Sequence, residues 1–391
     1  MKSLSKTASC VEVSLTRKLF NLAKQYSDVI DFTLGDPDVP TPVGIKVAGC
    51  AAIMDGKTRY SQNAGLLDLR KAISEYNSQK EGIKYNPETE ILVSVGAMEG
   101  LYLSLLALIE EGDEVIIPAP YYVNYKQMVK MCGGTPVIVE DGNTPLRCSV
   151  KAIRAAVTPK TKAIILNTPS NPTGVIIDNE TIHQIASIAK SNDLYVITDE
   201  VYKCLVYGDQ DRPATIAAID GMKDRTIYIN SLSKEFCMTG WRIGYVMSNQ
   251  EIIGAITKLQ ENVAACAPLP SQYAAIEALR TDYDYSATMA DIFKRRRDAL
   301  VEEFSKIPLV DCVPPQATFY AMIDISKTNM KSEEFAYALL DAVHVAVVPG
   351  ITYGRICDNY IRIAFTLDEE KIRVGVQRIG KFIESLRKYS I

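Results

Sequence analysis

Short runs of apolar, largely β-branched residues alternate with helical patterns between residues 90 and 250 of this chain. Each run is apolar throughout rather than at every second residue, which is typical of strands covered on both faces of a sheet. Strands and helices in alternation predict a mainly parallel sheet sandwiched by helices, with right-handed crossovers. The predicted strands cover residues 91–95, 114–117, 135–140, 163–166, 194–198, 226–229 and 243–247.

After residue 270 the pattern changes to long helical stretches up to about residue 307, and then to short strands and helices. We expect strands near residues 319–323, 345–348 and 360–364, and helices over 332–343 and 368–387. The fold class is therefore predicted to be α/β, with a large sheet domain at residues 45–285. A smaller α+β domain would combine residues 1–44 with residues 286–391.

Charge and hydropathy indicate small-molecule partners. The 391 residues carry 43 Lys and Arg against 47 Asp and Glu, so no basic field exists to gather nucleic acid or an anionic membrane. The most apolar stretch, residues 101–109, is too short to span a bilayer, and residues 1–17 lack the apolar run of a signal peptide. We therefore expect neither nucleic acid nor a membrane as a partner.

The cysteines and histidines restrict the possible compartment and the possible kinds of catalytic site. The nine cysteines are scattered, with no C-x-x-C pair, which predicts reduced thiols and a cytoplasmic location. With His183 and His344 as the only histidines, we expect no metal site and no Ser-His-Asp hydrolase, and neither histidine is expected to be catalytic. The basic triplet at residues 295–297 is expected on a solvated helix face with ion pairs.

Polar side chains follow three of the predicted strands, at the point where each strand ends. Asn167, Asp199 and Asn230 hold these positions. The carboxyl ends of parallel strands share one edge of a sheet, and ligands bind there. A carboxylate such as Asp199 after a buried strand needs a neutralising partner. Because no Lys or Arg lies within two residues of it, the cationic nitrogen of a heterocycle would serve.

Lys234 is the strongest candidate for a catalytic residue. A lysine at a strand end, shielded from water and close to another cation, has a lowered pKa, and only the neutral amine condenses with a carbonyl. Ser231 and Ser233 offer hydroxyl groups, and Arg242 offers a fork suited to a phosphate ester. Together these residue types can hold a phosphorylated aldehyde.

The segment from Ser231 to Tyr245, SLSKEFCMTGWRIGY, resembles the cofactor-attachment segment of class I/II aminotransferases, which are fold-type-I pyridoxal-phosphate enzymes. Residues 170–174 (SNPTG), 199–202 (DEVY) and 360–364 (YIRIA) resemble other blocks of that family and occur in the expected order. The resemblance extends from about residue 12 to residue 385. In overall texture the chain is similar to bacterial aspartate, aromatic and acetyl-diaminopimelate aminotransferases.

The resemblance implies pyridoxal 5'-phosphate as the cofactor and a role for each matching residue. Lys234 would bond to the cofactor's aldehyde and then move the substrate's Cα proton, while Asp199 would keep the ring nitrogen protonated. Asn171 and Tyr202 would hydrogen-bond the phenolic oxygen, and Tyr122 would stack on the ring. The phosphate would be held by Ser231, Ser233, Arg242 and the backbone N–H groups of Ala97 and Met98. Ala97 and Met98 follow a turn at Gly96 and begin a predicted helix, and the N-terminus of a helix is itself an anion-binding site.

The remaining matches concern the substrate and a second subunit. Arg362 would bind the α-carboxylate of the substrate, and the backbone of Gly35 would line the substrate pocket. Tyr60 resembles the tyrosine that reaches the phosphate of the neighbouring subunit. The resemblance therefore implies a homodimer in which each active site is shared across the interface.

The implied reaction moves the amino group of an L-amino acid to a 2-oxo acid such as 2-oxoglutarate by a ping-pong mechanism. In one aspartate-specific bacterial branch of the family a lysine occupies the position of Met98, so strict aspartate specificity is not supported here. Met98, Tyr122 and Tyr353 would accept an aromatic or neutral side chain. Aspartate, aromatic and related amino acids all stay open as donors.

The same sequence bears on several alternative functions. A nicotinamide dehydrogenase needs G-x-G-x-x-G after its first strand, which residues 96–100 do not supply. Residues 375–382 come within one residue of a phosphate-binding loop, but their apolar spacing predicts an amphipathic helix. A pyridoxal-phosphate-dependent C–S β-lyase on the same fold stays open, and so does a non-catalytic sensor that keeps the cofactor pocket.

Overall fold

The computed structural model describes residues 2–208, 212–281 and 283–388. The chain begins with two short helices, α1 (Lys6–Cys10) and α2 (Leu15–Ala23), and strand β1 (Ile30–Asp31). Between the two helices, Glu12 forms ion pairs with Lys126 and Lys130 at 3.3 and 3.1 Å. The N-terminal segment is thus tied to a distant part of the chain.

Helices α3 (Val43–Met54) and α4 (Leu67–Glu81) lead into a seven-stranded sheet. Its order in space is β2-β8-β7-β6-β5-β3-β4. All seven predicted strands are confirmed, each within two residues of its predicted ends. In chain order they are β2 (Ile91–Ser94), β3 (Glu114–Pro118), β4 (Thr135–Val139), β5 (Thr161–Asn167), β6 (Tyr195–Asp199), β7 (Thr226–Ser231) and β8 (Gly244–Met247).

The sheet is mainly parallel, as predicted, and the exception is β8, which runs antiparallel to both β2 and β7. Residues 232–243, all of them described, contain a 3₁₀ turn at Thr239–Trp241 but no α-helix. A parallel neighbour needs a crossover, usually a helix, to carry the chain back. Without one, the chain returns beside β7 in the opposite direction.

Helices cover both faces of the sheet. In β3, Val115 and Ile117 pack into one apolar cluster and Ile116 into another, which explains why the run is apolar at every position. Asp178 caps the helix at Asn179–Ser191 by accepting a hydrogen bond from the Thr181 N–H. The helices are α5 (Gly96–Leu108), α6 (Asn124–Met131), α7 (Val150–Ala156), α8 (Asn179–Ser191), α9 (Gln250–Val263), α10 (Leu269–Arg280) and α11 (Tyr285–Phe304).

The rest of the chain forms a second, smaller sheet of order β12-β13-β10-β9 with two long helices. Its elements are β9 (Asp311–Cys312), β10 (Tyr320–Asp324), α12 (Ser332–Val343), β11 (Val345–Ala346), β12 (Val348–Pro349), β13 (Tyr360–Ala364) and α13 (Glu369–Lys388). The strand predicted over residues 345–348 is in fact two short strands, because β11 pairs with β1 and β12 pairs with β13. The near-match to a phosphate-binding loop lies inside α13, as its apolar spacing predicts.

The N-terminal segment packs against this smaller sheet region. Leu19, Phe32 and the helix α13 share one apolar cluster, and β1 pairs with β11 in parallel. This packing supports the predicted small domain of residues 1–44 and 286–391, and the boundary at residues 45 and 285 stays a prediction. Residue 1 and residues 389–391 lie outside the described residues.

The solvated face predicted for the basic triplet is wrong for Arg296. Its side chain is buried, and its guanidinium lies 2.8 Å from Asp38 Oδ1 and donates to the carbonyl oxygen of Thr366 at 2.7 Å. Arg295 and Arg297 do form exposed or half-exposed ion pairs, with Glu369 and Asp298. Three consecutive residues of a helix point about 100° apart, so one of them faces the interior.

No helix in the described ranges is long and apolar enough to cross a membrane.

Substitutions at two helical glycines can show how closely the N-terminal segment packs against α13. A Cβ at Gly375 would lie 2.5 Å from the buried ring of Phe32, whereas one at Gly254 meets open space. We expect Gly375→Ala to lower the free energy of unfolding by about 1–3 kcal/mol through overpacking. The same substitution at Gly254 should raise it by up to about 1 kcal/mol, because alanine favours a helix. Chemical denaturation of both variants measures the difference, and equal effects would contradict the packing described.

Candidate functional site

Of the three polar residues predicted to meet at the sheet edge, Asn167 and Asp199 do so. Asn230 does not, because it lies inside β7 and donates to the Tyr228 hydroxyl at 3.1 Å, and its neighbour Ser231 occupies the edge instead. Asn167, Asp199 and Ser231 are the last residues of β5, β6 and β7, three adjacent strands of the sheet. Asn167 and Asp199 are direct partners in the register between β5 and β6. The three side chains therefore lie at one edge, where parallel strands present their carboxyl ends.

A cavity of about 460 Å³ opens at this edge, between the central sheet and the smaller sheet region. It brings together nearly all of the predicted site residues. Those that line it are Gly35, Ala97, Met98, Tyr122, Asn171, Asp199, Tyr202, Ser231, Ser233, Lys234, Arg242 and Arg362. Tyr60 does not line it and is 86% exposed, as expected of a residue that would act in a neighbouring subunit.

Asp199 is a buried carboxyl at the floor of the cavity. Its Oδ2 accepts a hydrogen bond from the Tyr125 hydroxyl at 2.6 Å. Burial raises the pKa of Asp199 to about 6, and the hydrogen bond from Tyr125 acts in the opposite direction. Lys203, the nearest cation in sequence, pairs instead with Glu200 and Glu81 at 2.8 and 2.5 Å. Asp199 is therefore available to a cation that enters the cavity.

Lys234 supplies the amine of the site. Its Nζ donates a hydrogen bond to the carbonyl oxygen of Gly35 at 2.9 Å. Burial is the main cause that lowers the pKa of Lys234 to about 8; Asp36 opposes this shift, and the nearby charge of Arg242 acts in the same direction as burial. A larger fraction of this amine is therefore neutral near pH 7 than for an ordinary lysine, and the neutral amine is the form that attacks a carbonyl.

An anion cradle lies at the start of α5. Gly96 has a φ of 74°, and a Cβ there would lie 2.5 Å from Nη2 of Arg242. Glycine therefore lets the guanidinium approach the first turn of the helix, whose N–H groups have no intrahelical partners. Ser231 and Ser233 line the same end of the cavity. A guanidinium, two hydroxyl groups and a helix N-terminus together suit a phosphate ester.

Arg362, on β13, presents a second guanidinium that is buried. The guanidinium donates to Asn171 Oδ1 at 3.4 Å and to the carbonyl oxygen of Thr33. Its central carbon, Cζ, lies 4.5 Å from the ring centroid of Tyr320. Its Nε has no hydrogen-bond partner in the part of the chain that the structure describes. An unpaired buried donor beside an open cavity fits a carboxylate ligand.

Glycine is required at position 35 because the side chain of Tyr320 approaches the backbone closely there. A Cβ on it would overlap the hydroxyl group of Tyr320, at 1.7 Å, so only glycine lets this backbone pass beside β10. The Tyr320 hydroxyl lies 3.2 Å from the Tyr202 hydroxyl. The Gly35 carbonyl that accepts from Lys234 is thus held in place by the smaller sheet region.

Several residues of the site were not predicted from the sequence. Tyr125 bonds Asp199, Tyr320 bonds Tyr202, and Thr33 accepts from Arg362. Tyr125 follows Tyr122 by three residues at the start of α6, and that helical spacing was the one available signal. Tyr320 and Thr33 come from the smaller sheet region and the N-terminal segment, and nothing in their local sequence indicates the contact.

The two histidines lie outside the cavity. His183 Nδ1 is 2.7 Å from the carbonyl oxygen of Asn179, and His344 Nδ1 is 2.6 Å from Asp28 Oδ1. Among the described residues no group of three or more His, Cys, Asp or Glu side chains could hold a metal ion.

The cavity fits pyridoxal 5'-phosphate on its own chemistry. The amine of Lys234, the carboxyl of Asp199 and the cradle formed by Gly96 and Arg242 line one space. These groups suit an aldehyde, a ring nitrogen and a phosphate respectively. The orphaned Nε of Arg362 leaves a separate position for the carboxylate of a substrate.

The raised pKa of Asp199 predicts a pH-dependent stability for the ligand-free protein. Above pH 6 the carboxylate is charged in the folded and unfolded chain, and its burial opposes folding. Below the ordinary value of 3.8 the group is neutral in both states. We expect Asp199→Asn to raise the free energy of unfolding by on the order of 2 kcal/mol at pH 7.

This gain should disappear as the pH falls from about 6 to about 4. Urea denaturation at several pH values measures it, with Asp220→Asn at an exposed position as the matched control. A gain that is constant with pH, or one that the control reproduces, would exclude burial of the Asp199 charge as its cause.

Comparison with known proteins agrees with this geometry. Residues 27–379 match the family described as aminotransferase class I and II. The chain is 36% identical over 385 residues to a probable N-acetyl-LL-diaminopimelate aminotransferase of Bacillus subtilis, covering 98% of this chain and 97% of that protein. It is 38% identical to a probable aspartate/prephenate aminotransferase of Aquifex aeolicus, with 96% of each chain covered.

Among solved structures, a single mutant of the Thermus thermophilus aspartate aminotransferase superposes with a TM-score of 0.92 at 31% identity, covering 98% of this chain and 100% of that one. The likeness extends through both sheets, so the cavity between them falls within the shared fold. With relatives and a family match that span nearly its whole length, the chain belongs to the class I and II aminotransferases, enzymes that transfer amino groups with pyridoxal 5'-phosphate.

Proposed function

We propose that this aminotransferase has a broad donor range, accepting aspartate-like and aromatic L-amino acids with a 2-oxo acid such as 2-oxoglutarate as acceptor. The observation that carries the proposal is the mixed lining of the cavity. Arg362 offers a guanidinium for the α-carboxylate that all these substrates share, while Met98, Tyr122 and Tyr353 contribute uncharged side chains to the same lining. An apolar and aromatic wall stabilises an aromatic side chain by burying it.

Lys234 is the proposed acid–base residue. When bound, pyridoxal phosphate supplies an aldehyde that condenses with amines and a ring that accepts electrons from the substrate's Cα. Once the substrate's amine has displaced it from the cofactor, the Nζ of Lys234 would accept the proton from Cα and release it again, a role that its lowered pKa supports. The carbonyl of Gly35 orients this Nζ.

Asp199 holds a proton on the ring nitrogen in this proposal. The Tyr125 hydroxyl fixes one of its oxygens and favours its ionised form. Asn171 and Tyr202 are assigned to the phenolic oxygen and Tyr122 to the face of the ring. The phosphate is assigned to Ser231, Ser233, Arg242 and the backbone of Ala97 and Met98.

A half-reaction panel tests the proposal. With aspartate, alanine, phenylalanine, tyrosine and acetylated diaminopimelate in turn, and no added 2-oxo acid, the holoenzyme should release up to one equivalent of the donor's 2-oxo acid per subunit. Lys234→Ala should slow this release by at least about 100-fold, because the amine that moves the proton is gone. Borohydride should fix the cofactor to residue 234 of the wild type only.

The exposed Lys190→Ala variant serves as the control, and it should release 2-oxo acid at the wild-type rate. Release of ammonia and pyruvate would indicate a β-lyase instead. Turnover retained by Lys234→Ala would refute the role given to this residue.

We infer that the active form is a homodimer with Tyr60 completing the partner's phosphate site. Helix α3 carries Val43, Val47, Cys50 and Met54 at helical spacing on one exposed stripe, and Met54 is 86% exposed. An exposed apolar stripe of this kind, in the same part of the sequence as the exposed Tyr60, is typical of a protein–protein contact. A second copy accounts for both, since Tyr60 has no role in its own cavity.

Charges on α3 should separate the subunits. For Val47→Lys combined with Met54→Lys we expect a monomer by light scattering and at least about tenfold weaker cofactor binding, because the Tyr60 contact is lost. Val313→Lys, at an exposed apolar position in the smaller sheet region, is the matched control and should stay dimeric. A double variant that remains dimeric with unchanged cofactor affinity would rule out this interface.

The cytoplasm is the proposed location. All nine cysteines are free thiols, and several of them, such as Cys204 and Cys357, are buried. Buried free thiols in this number are typical of a reducing compartment.

A further inference from the structure

Tyr320 lines the cavity, but the proposed function gives it no role. It is the first residue of β10, in the smaller sheet, and its side chain is buried. Its hydroxyl lies 3.2 Å from the hydroxyl of Tyr202, which also lines the cavity and is assigned to the phenolic oxygen of the cofactor. This contact joins the smaller sheet region to a side chain with an assigned function.

Packing on several sides holds the ring of Tyr320 in place. The ring stands edge-on to that of Tyr202, with the centroids 5.7 Å apart and an angle of 80° between the planes. Cζ of Arg362 lies 4.5 Å from its centroid, and its hydroxyl end lies against the backbone of Gly35. Edge-on aromatic pairs and a cation over a ring are both favourable arrangements. The position of the Tyr320 hydroxyl beside Tyr202 is therefore set by its surroundings.

The two hydroxyl groups carry one hydrogen each. Either oxygen could be the donor in their contact, and in the described part of the chain neither hydroxyl has another hydrogen-bond partner. If Tyr202 donated to Tyr320, the hydrogen of Tyr320 would have no acceptor, and Tyr202 would have no hydrogen left for the cavity. If Tyr320 donates to Tyr202, the hydrogen of Tyr202 can point to an acceptor in the cavity, and both hydrogens are used.

On the basis of the proposed function, in which Tyr202 donates to the phenolic oxygen, we propose that Tyr320 is a positioning residue whose hydroxyl donates to Tyr202 and so directs the Tyr202 hydrogen to the cofactor. Neighbouring hydrogen bonds in a chain polarise one another, so a hydroxyl that accepts a hydrogen bond becomes a stronger donor. Tyr320 thus strengthens the hydrogen bond that Tyr202 makes and acts on the cofactor through it.

Both hydroxyl groups keep their hydrogens near neutral pH, because burial raises the pKa of Tyr202 and of Tyr320 above the ordinary value. The charged groups that act on the pair are Asp199 for Tyr202, and Arg362 and Asp36 for Tyr320. Replacing either tyrosine by phenylalanine leaves these charges in place and keeps the ring. Such a variant therefore isolates the contribution of the hydroxyl.

The test measures the protonation of the nitrogen that links Lys234 to the cofactor, which the absorbance of the holoenzyme reports. A donor directed at the phenolic oxygen lowers the pKa of this nitrogen, because the negative oxygen needs the donor most when the nitrogen has lost its proton. We expect Tyr202→Phe to raise the pH midpoint of the absorbance change by about 1 pH unit or more. Tyr320→Phe should raise it by about 0.3 to 0.8 pH unit, since it weakens that hydrogen bond without removing it.

The double variant Tyr202→Phe/Tyr320→Phe distinguishes a positioning role from a general structural one. Because Tyr320 acts through Tyr202, its substitution should add nothing to the midpoint once the Tyr202 hydroxyl is absent. Tyr245→Phe is the matched control, because it removes the hydroxyl of a buried tyrosine that bonds Asn77 outside the cavity. It should leave the midpoint at the wild-type value.

An unchanged or lowered midpoint in Tyr320→Phe would overturn the inference, and so would an equal rise with and without the Tyr202 hydroxyl. If Tyr202→Phe alone does not move the midpoint, the assignment of Tyr202 is wrong and the inference is overturned with it, although the release of 2-oxo acid would still support an aminotransferase. A wild type in which the cofactor forms no bond with Lys234 would instead contradict the proposed function itself.

Discussion

The site depends on placing two ionisable groups, the buried Asp199 and the partly buried Lys234, at the end of a parallel sheet. Burial moves the pKa of the carboxyl up to about 6 and the pKa of the amine down to about 8, so each is shifted toward its neutral form. In the part of the chain that the structure describes, neither group forms a direct ion pair with a neighbouring side chain. Asp199 has a tyrosine hydroxyl and Lys234 has a backbone carbonyl as partner. Such an arrangement is unfavourable for the empty protein and favourable once a ligand supplies the complementary charges.

Much of the fold could be predicted because the central strands are apolar at every position, a pattern that sandwiched parallel strands share. The orientation of β8 could not be predicted, since it depends on the absence of a crossover helix between two strands that look alike in sequence. The burial of Arg296 was missed for a related reason. Its neighbours Arg295 and Arg297 have the same side chain, and only the packing of α11 decides which of the three faces Asp38.

The candidate site was predictable where its polar residues stand at the ends of predicted strands. Asp199 and Ser231 end adjacent strands, so their convergence follows from the sheet alone. Tyr320 and Thr33 were not predictable, because they reach the cavity from β10 and from the N-terminal segment, far away in sequence. Tyr60 could be named only through the family resemblance, since in one copy of the chain it contacts no part of the cavity.

Arg362 and Lys234 are carried by different sheets. Arg362 belongs to β13 of the smaller sheet, and Lys234 follows β7 of the central sheet. The distance between a substrate's carboxylate and the amine is therefore set by the junction between the two sheets, where Gly35 passes beside Tyr320, and by neither sheet alone. Altering that junction would misalign the reacting atoms while leaving every reacting group intact, so the catalytic rate would fall although no reacting side chain had changed.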